Sequence, residues 1–341
     1  MTSIFAFEPL WLALAVQALV AVLFFLLAAL AIGYLEHKVL AHMQDRLGPM
    51  EAIWHGVGQL PADAVKFLQK EDVIPTAADR WVFALAPAVA TVPGIVILAV
   101  IPFGPGLWLT DTEAGLFFAL AASGLSVIGV LMAAWSSANK FSLLGGLRSA
   151  AQLISYELPL VLAAAAVVLQ AGTLSLVGIV EAQHAYTLFG VPMIYGVPNV
   201  IGLGLFFVAA LAELNRPPFD MPIADSELIA GHMTEYTGLR YAFFMLSEYA
   251  GMVVLSALAT VLFLGGWYPW PGVELPAGPL GTLLGFATTM VKIALLATVM
   301  VWLRATFPRL REDQLQRISW GVLIPLGLLN IVLIATAKVW F

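Results

Sequence analysis

The stretch "ELNRPPFDMPIADSELIAGHMTEY", residues 213–236, sets five carboxylates, Glu213, Asp220, Asp225, Glu227 and Glu235, against a single base, Arg216. Carboxylates crowded together with little water repel one another, so their pKa values rise and some hold protons near neutral pH. Pro217, Pro218 and Pro222 stiffen the segment and keep it from forming one regular helix. A stiff acidic loop suits proton handling, docking of a basic partner or metal binding. For a metal it lacks tight carboxylate–histidine spacing, since His232 is the only histidine nearby. The plain alternative is a solvated loop whose charge keeps it outside the membrane.

Three further ionisable residues stand in apolar surroundings: Glu157 in "SYELPLVL", Glu248, and Lys292. A charge at mid-bilayer costs at least ~2.5–3.5 kcal/mol on insertion scales, so each must face water or a partner. Together they can form a polar track that passes protons or responds to charge. They can equally be static ion pairs that fix helix packing, and Glu157 and Glu248 can simply reach the interface. Redox chemistry within the chain is poorly supplied. There is no cysteine, which excludes thiolate-held iron–sulfur clusters and disulfides. None of His37, His42, His55, His184 and His232 is expected deep in a span, which disfavours a haem between helices. The "GLG" at Gly202 lacks the strand–turn–helix setting of a dinucleotide site.

The elements that must position these groups follow from composition. The chain is 61% hydrophobic and 11% charged, with a net charge of −6. Apolar runs long enough to cross a bilayer recur along it, and such runs are helical because lipid offers no partner for unpaired backbone groups. The fold class is therefore an all-α integral membrane protein, one polytopic domain over 1–341. Eight spans are expected near 10–33, 82–103, 114–135, 153–170, 193–212, 245–264, 280–303 and 319–338. No Lys or Arg precedes Lys38, so the first run reads as a retained span rather than a secretory signal. Of the 15 Lys and Arg residues, all but Lys292 and Lys338 fall in loops that follow odd-numbered spans. That asymmetry places those long charged loops in the cytoplasm and both termini outside. The even loops, such as "GGWYPWPGVELPAGP", read as interfacial turns with aromatic anchors. In the first charged loop, Leu60, Ala64, Phe67 and Leu68 share one helical face while Asp63, Lys66 and Lys70 share another, the pattern of an amphipathic helix on the membrane or against a partner.

The motifs "EHKVLAHMQDRLGP" (36–49), "DAVKFLQKEDVIP" (63–75), "ADRWVFALAP" (78–87), "WSSANKFSLLGGLRSAAQLISYE" (135–157), "AELNRPPFD" (212–220), "EYTG" (235–238), "LFLGGW" (262–267) and "WLRATFPRLREDQL" (302–315) are long and in order. From about Glu36 to Asn330 the chain resembles the H-subunit family of respiratory complex I, the proton-pumping NADH–quinone oxidoreductase. The resemblance implies a component of the bacterial-type cytoplasmic membrane that joins the hydrophilic redox arm to neighbouring membrane-arm subunits. It implies that the charged loops help wall the quinone chamber, and that the acids begin the route from quinone reduction to proton translocation. Quinone is then the substrate, with no metal, haem, flavin or iron–sulfur cluster on this chain and no nucleic-acid partner. Carried over by position, Glu36, Lys38, Arg46, Asp63, Lys66 and Asp72 match charged positions of the first loop. Arg148 and Glu157 match the third loop and span four. Glu213, Arg216, Asp220, Asp225, Glu227, Glu235 and Glu248 match the acidic route, with Arg216 holding neighbouring carboxylates, and Lys292 matches a family lysine.

The chain also departs from the family. After "PFD" the usual proline, glutamate, alanine, glutamate reads Pro222, Ile223, Ala224, Asp225. The usual tyrosine and histidine appear as His232 and Met233, and His37 stands where arginine is usual. Loss of a charge at Ile223 lowers local repulsion and shifts neighbouring pKa values down. Rival readings are a homologous membrane subunit of a hydrogenase or ferredoxin-dependent complex, a stand-alone transporter, or a purely structural anchor. No internal repeat supports the transporter.

Overall fold

The computed structural model describes residues 10–188 and 190–340, except for the side chains of Leu188, Asp225 and Ser226. Among the described residues, seven helices are long and apolar enough to cross a membrane: α1 (Leu10–Met43), α3 (Arg80–Val100), α4 (Gly115–Ser136), α5 (Lys140–Ala171), α9 (Gly238–Phe263), α10 (Pro279–Thr306) and the run Glu312–Trp340. That last run comprises α11 (Glu312–Ile318), a π-helical stretch (Ser319–Leu323) and α12 (Ile324–Trp340). An eighth apolar helix, α7 (Val200–Glu213), has only 14 residues. The amphipathic segment forms α2 (Gln59–Gln69), and α8 (Asp225–Leu228) is a single turn in the acidic loop.

Helices lie in all eight apolar stretches, but the stretch 193–212 is helical only from Val200, and several other helices run well past the apolar part. α5 begins at Lys140, where the Asn139 side chain caps it by accepting from Phe141 N. Its first turns carry Ser142, Ser149, Gln152 and Ser155, all buried, which reads as loop by hydropathy. They stay helical because their side chains find partners. Gln152 Nε2 donates to Ala212 O and Phe219 O, both at 2.8 Å, and Ser155 Oγ to Ala151 O at 2.7 Å. The extension puts Glu157 in the middle of a helix rather than at its start. α1 likewise continues to Met43 and carries Glu36 and Lys38, and α9 starts at Gly238, so Glu248 lies several turns along it. α3 and α4 approach so closely at Gly129 that a Cβ there would lie 2.4 Å from Ala90 N.

Two features are not legible in the sequence. The segment after α5 contains a helix, α6 (Leu176–Ala185), and a two-stranded hairpin of β1 (Thr187–Leu188) and β2 (Val191–Pro192). The stripe of α2 turned to the bundle is Leu60, Asp63 and Phe67, not Leu60, Ala64, Phe67 and Leu68. Leu60 meets α1 at Gly33 and Phe67 packs 5.8 Å from the Tyr241 ring, whereas Ala64 and Leu68 are exposed. Asp63 is drawn inward because Gln59 and Lys66 satisfy its carboxylate.

Candidate functional site

The site grows from the bend after α7. Asn215 takes a positive φ of 49° there. Its amide is held from both ends, donating to Ser149 Oγ at 3.2 Å and accepting from Gln152 Nε2 at 3.1 Å. This fixed bend sends Arg216 into the bundle, where it is 1% exposed. Its guanidinium donates to Glu36, which is also buried and accepts a second bond from Arg304 at the end of α10. On its other side Arg216 Nε lies 3.1 Å from Glu248 Oε1, and the guanidinium sits 4.9 Å from the centre of the Tyr249 ring. Two acids and two bases from α1, α9, α10 and the bend therefore share one network, buried at Glu36 and Arg216 and partly open at Glu248 and Arg304. Buried charges persist in a low-dielectric interior only when paired in this way.

Glu248 also lines a cavity of about 130 Å³, together with Glu213, His232, Ser123, Ser126 and Ser247. A space of that size takes several waters, each needing roughly 10–15 Å³. Beyond Glu213, within electrostatic reach, is Glu157, whose Oε1 would lie 2.7 Å from a Cβ placed at Gly124. Glu157, Glu213, the cavity, Glu248, Arg216, Glu36 and Arg304 thus follow one another through the bundle.

The other acids of the loop do not crowd as their spacing suggests. The loop wraps so that each meets a different helix or segment. Asp220 takes two bonds of 2.7 Å from Arg309. Glu227 pairs with Arg148 at 2.9 Å, and Arg148 lies 3.6 Å from Glu312. Glu235 accepts from Asn139 at 2.5 Å. The side chain of Asp225 lies outside the described residues. Arg216 does hold carboxylates, but those of Glu36 and Glu248 rather than of its own loop.

In the first charged loop, Lys38 donates to Pro49 O at 2.7 Å and to Leu47 O at 3.3 Å, and so secures the turn rather than an acid. Arg46 and Asp63 line a second, more open hollow of about 340 Å³ with His37 and Gln59. Partial burial raises the Asp63 carboxyl, but hydrogen bonds from Lys66 and Gln59 outweigh this and leave it below the usual carboxylate range. Asp72 lies 3.3 Å from Arg240. Lys292 is not brought to the acids at all. It donates to Leu264 O, Gly266 O and Tyr268 O at 2.5, 3.0 and 2.6 Å, at the far end of α9. Among the described residues no group of three His, Cys, Asp or Glu is set to hold a metal.

Sequence reasoning misses the parts played by Arg304 and Arg309, and by Asn139, Tyr249 and the cavity serines. His232 stands out in the sequence only as a lone histidine. It is 4% exposed, packs edge-on to Phe244 at 5.4 Å, and is pushed down to about 4 by burial. The ring is therefore neutral when buried and charged when exposed below its ordinary pKa. The unfolded turn binds more protons in the interval between about 4 and 6.5, so the stability this burial lends is lost as pH falls through it. Amide exchange of residues 231–236 should accelerate by about 10²-fold from pH 6.5 to 4, after correction for the intrinsic rate. His232→Phe should flatten that dependence, and an unchanged slope in the variant would assign it to another group.

Comparison with known proteins is extensive. A sequence model of the family described as NADH dehydrogenase matches residues 16–335. The H subunit of the NADH-quinone oxidoreductase of Geobacillus kaustophilus is 47% identical over 308 residues, 90% of this chain and 88% of the relative. Its counterpart in Geobacillus thermodenitrificans is 46% identical over the same shares, and that of Bacillus mycoides is 46% identical over 325 residues, 94% of this chain and 93% of the relative.

Proposed function

Because the chain belongs to the NADH dehydrogenase family, and is a membrane subunit of an NADH-quinone oxidoreductase complex, we propose that its ion network links quinone reduction to proton translocation. The end of the bundle bearing Arg148, Arg309 and α2 is the side that meets the hydrophilic redox arm and forms part of the quinone chamber. The chain supplies no redox centre. Electrons reach the quinone from a neighbouring subunit, and other membrane-arm subunits receive the consequence. α1, α3, α4, α5, α7, α9, α10 and the Glu312–Trp340 run cross the cytoplasmic membrane, with the charged loops inside and both termini outside.

The observation that carries this reading is the direct succession of Glu157, Glu213, the polar cavity, Glu248 and the Arg216–Glu36–Arg304 network. Quinone reduction takes up two electrons and two protons, and protons drawn from side chains of the chamber leave those side chains with changed charge beside these groups. An enclosed acid that lies next to a water-sized space is suited to answer by taking up or yielding a proton. Glu213 occupies that position. Glu213→Gln keeps the shape and removes the exchangeable charge. The variant complex should assemble in native membranes and show inhibitor-sensitive NADH–quinone reduction lowered by about tenfold or more, with proton pumping lowered to match. Normal turnover with normal pumping would remove Glu213 from the route.

A further inference from the structure

The cavity between Glu213 and Glu248 has a third ionisable wall residue. His232 lies on the 3₁₀ turn Gly231–Met233, and its Nδ1 is buried with no hydrogen-bond partner among the described residues. Water does not reach Nδ1, so Nε2 is the ring nitrogen left to meet water in the cavity. The turn is held rigidly. A Cβ on Gly231 would lie 2.2 Å from Pro222 O, so the two short turns of the loop are pressed together, and Gly145 of α5 closes on the Gly231 backbone from the other side. The backbone that carries His232 is therefore fixed in place.

The polar groups that share the cavity with it are few. α7 offers Glu213, the bend after it Asn215, α9 Glu248 and Ser247, α4 Ser123 and Ser126, and α5 contributes only Leu153 to the lining. On the loop itself, Glu235 is turned to Asn139. Ile223, Met233 and the α3 residues of the wall bring no titratable group. His232 is thus the one lining side chain, among those described, with a basic nitrogen in a cavity that also holds two carboxyls.

We propose that His232 is a proton-exchanging residue of this cavity, passing a proton between Glu213 and Glu248 through water. With hydrogen on the buried Nδ1, the free Nε2 accepts, through water, the proton of a Glu213 carboxyl, leaving a carboxylate and an imidazolium. The Nε2–H proton then passes through water to the Glu248 carboxylate, which restores the neutral ring. No electron moves and no bond to carbon changes. Burial keeps the ring neutral at rest, so the charged form exists only while a carboxylate beside it stabilises it. This inference rests on the reading that Glu213 and Glu248 exchange protons during turnover.

The test uses the whole complex in native membranes, with His232→Gln, His232→Phe and Glu213→Gln compared. Gln keeps polar atoms but takes no proton, and Phe keeps the ring volume. Both His232 variants should assemble and lose coupled quinone reduction by about tenfold. That is less than the roughly 10²–10⁴-fold contributed by a positioned proton-transfer group, because cavity waters offer a bypass. The solvent deuterium isotope effect should rise in both, which a packing role would not produce. Full activity in His232→Gln with loss in His232→Phe would show that polarity alone matters and overturn the proposal. Full activity in both, with Glu213→Gln impaired, would overturn it while leaving the route standing. Full activity in all three would remove the route as well. If the His232 variants do not assemble, the wild-type complex decides at a resolution that shows water. Ordered waters joining Nε2 to Glu213 or Glu248 support the exchange, and a dry cavity or a protein donor on Nε2 overturns it.

Discussion

Replacing Arg216 by methionine should cost about 3–5 kcal/mol and remove most assembled complex from the membrane, because it strips a buried network of the base that both acids share. The loss should not fall evenly. Glu36 keeps Arg304 as a donor, whereas no other base contacts Glu248 among the ion pairs of the described residues. Neutralising Glu248 in the same chain should therefore restore assembly, and neutralising Glu36 should restore much less. Arg216→Lys should rescue poorly, since a single ammonium cannot reach Glu36, Glu248 and the Tyr249 ring as a planar guanidinium does. The measurement is the amount and thermal midpoint of complex extracted from membranes carrying each single and double variant. Equal rescue by the two neutralisations would mean that the charge balance is set by something other than these pairs.

The second large effect is expected at Lys292, and it should differ in kind. Lys292 donates to three backbone carbonyls of the turn that follows α9, those of Leu264, Gly266 and Tyr268. That turn adjoins the last carbonyls of the helix, which carry partial negative charge and favour a cation nearby. Gln183 serves the same end, donating to Val261 O at 2.7 Å and accepting from Gly265 N at 3.0 Å. Lys292→Met should thus cost on the order of 3 kcal/mol through orphaned carbonyls, seen as a lower thermal midpoint of the complex. Protons pumped per electron should be unchanged in the complex that survives. A lowered pumping ratio at an unchanged thermal midpoint would instead put Lys292 in the coupling route beside Glu213.

These expectations show what a sequence can and cannot display. Apolar length announces the helices, because the requirement to satisfy the backbone in lipid leaves little choice of structure. It does not announce their ends. The first turns of α5 look like a loop, since a buried Gln152 or Ser149 is stable only through bonds to Phe219 or Asn215, and those partners are remote in sequence. The same holds for the ions. Glu36, Arg216 and Glu248 stand out by type in oily surroundings. Their grouping does not, with partners separated by 180 residues for Glu36 and Arg216 and 268 for Glu36 and Arg304. Clustering along the chain misleads in the acidic loop, where Asp220, Glu227 and Glu235 face Arg309, Arg148 and Asn139 rather than one another. The motif resemblance marks these positions as important but carries no pairing.

The reach of those pairings bears on how the protein is made. Synthesis runs from the N-terminus, so Glu36 is in place on α1 long before Arg216 is added, and Arg304 follows only at the end of α10. Until Arg216 arrives, the first helix carries an acid that lipid disfavours and that no finished part of the chain answers. The full network can close only after α10 has been inserted. A chain that stops or misinserts before Arg216 is left with an unpaired acid on its first helix, the kind of flaw that membrane proteases and insertion chaperones recognise. The charges that serve the mature bundle thereby also report, during biogenesis, whether the bundle is complete.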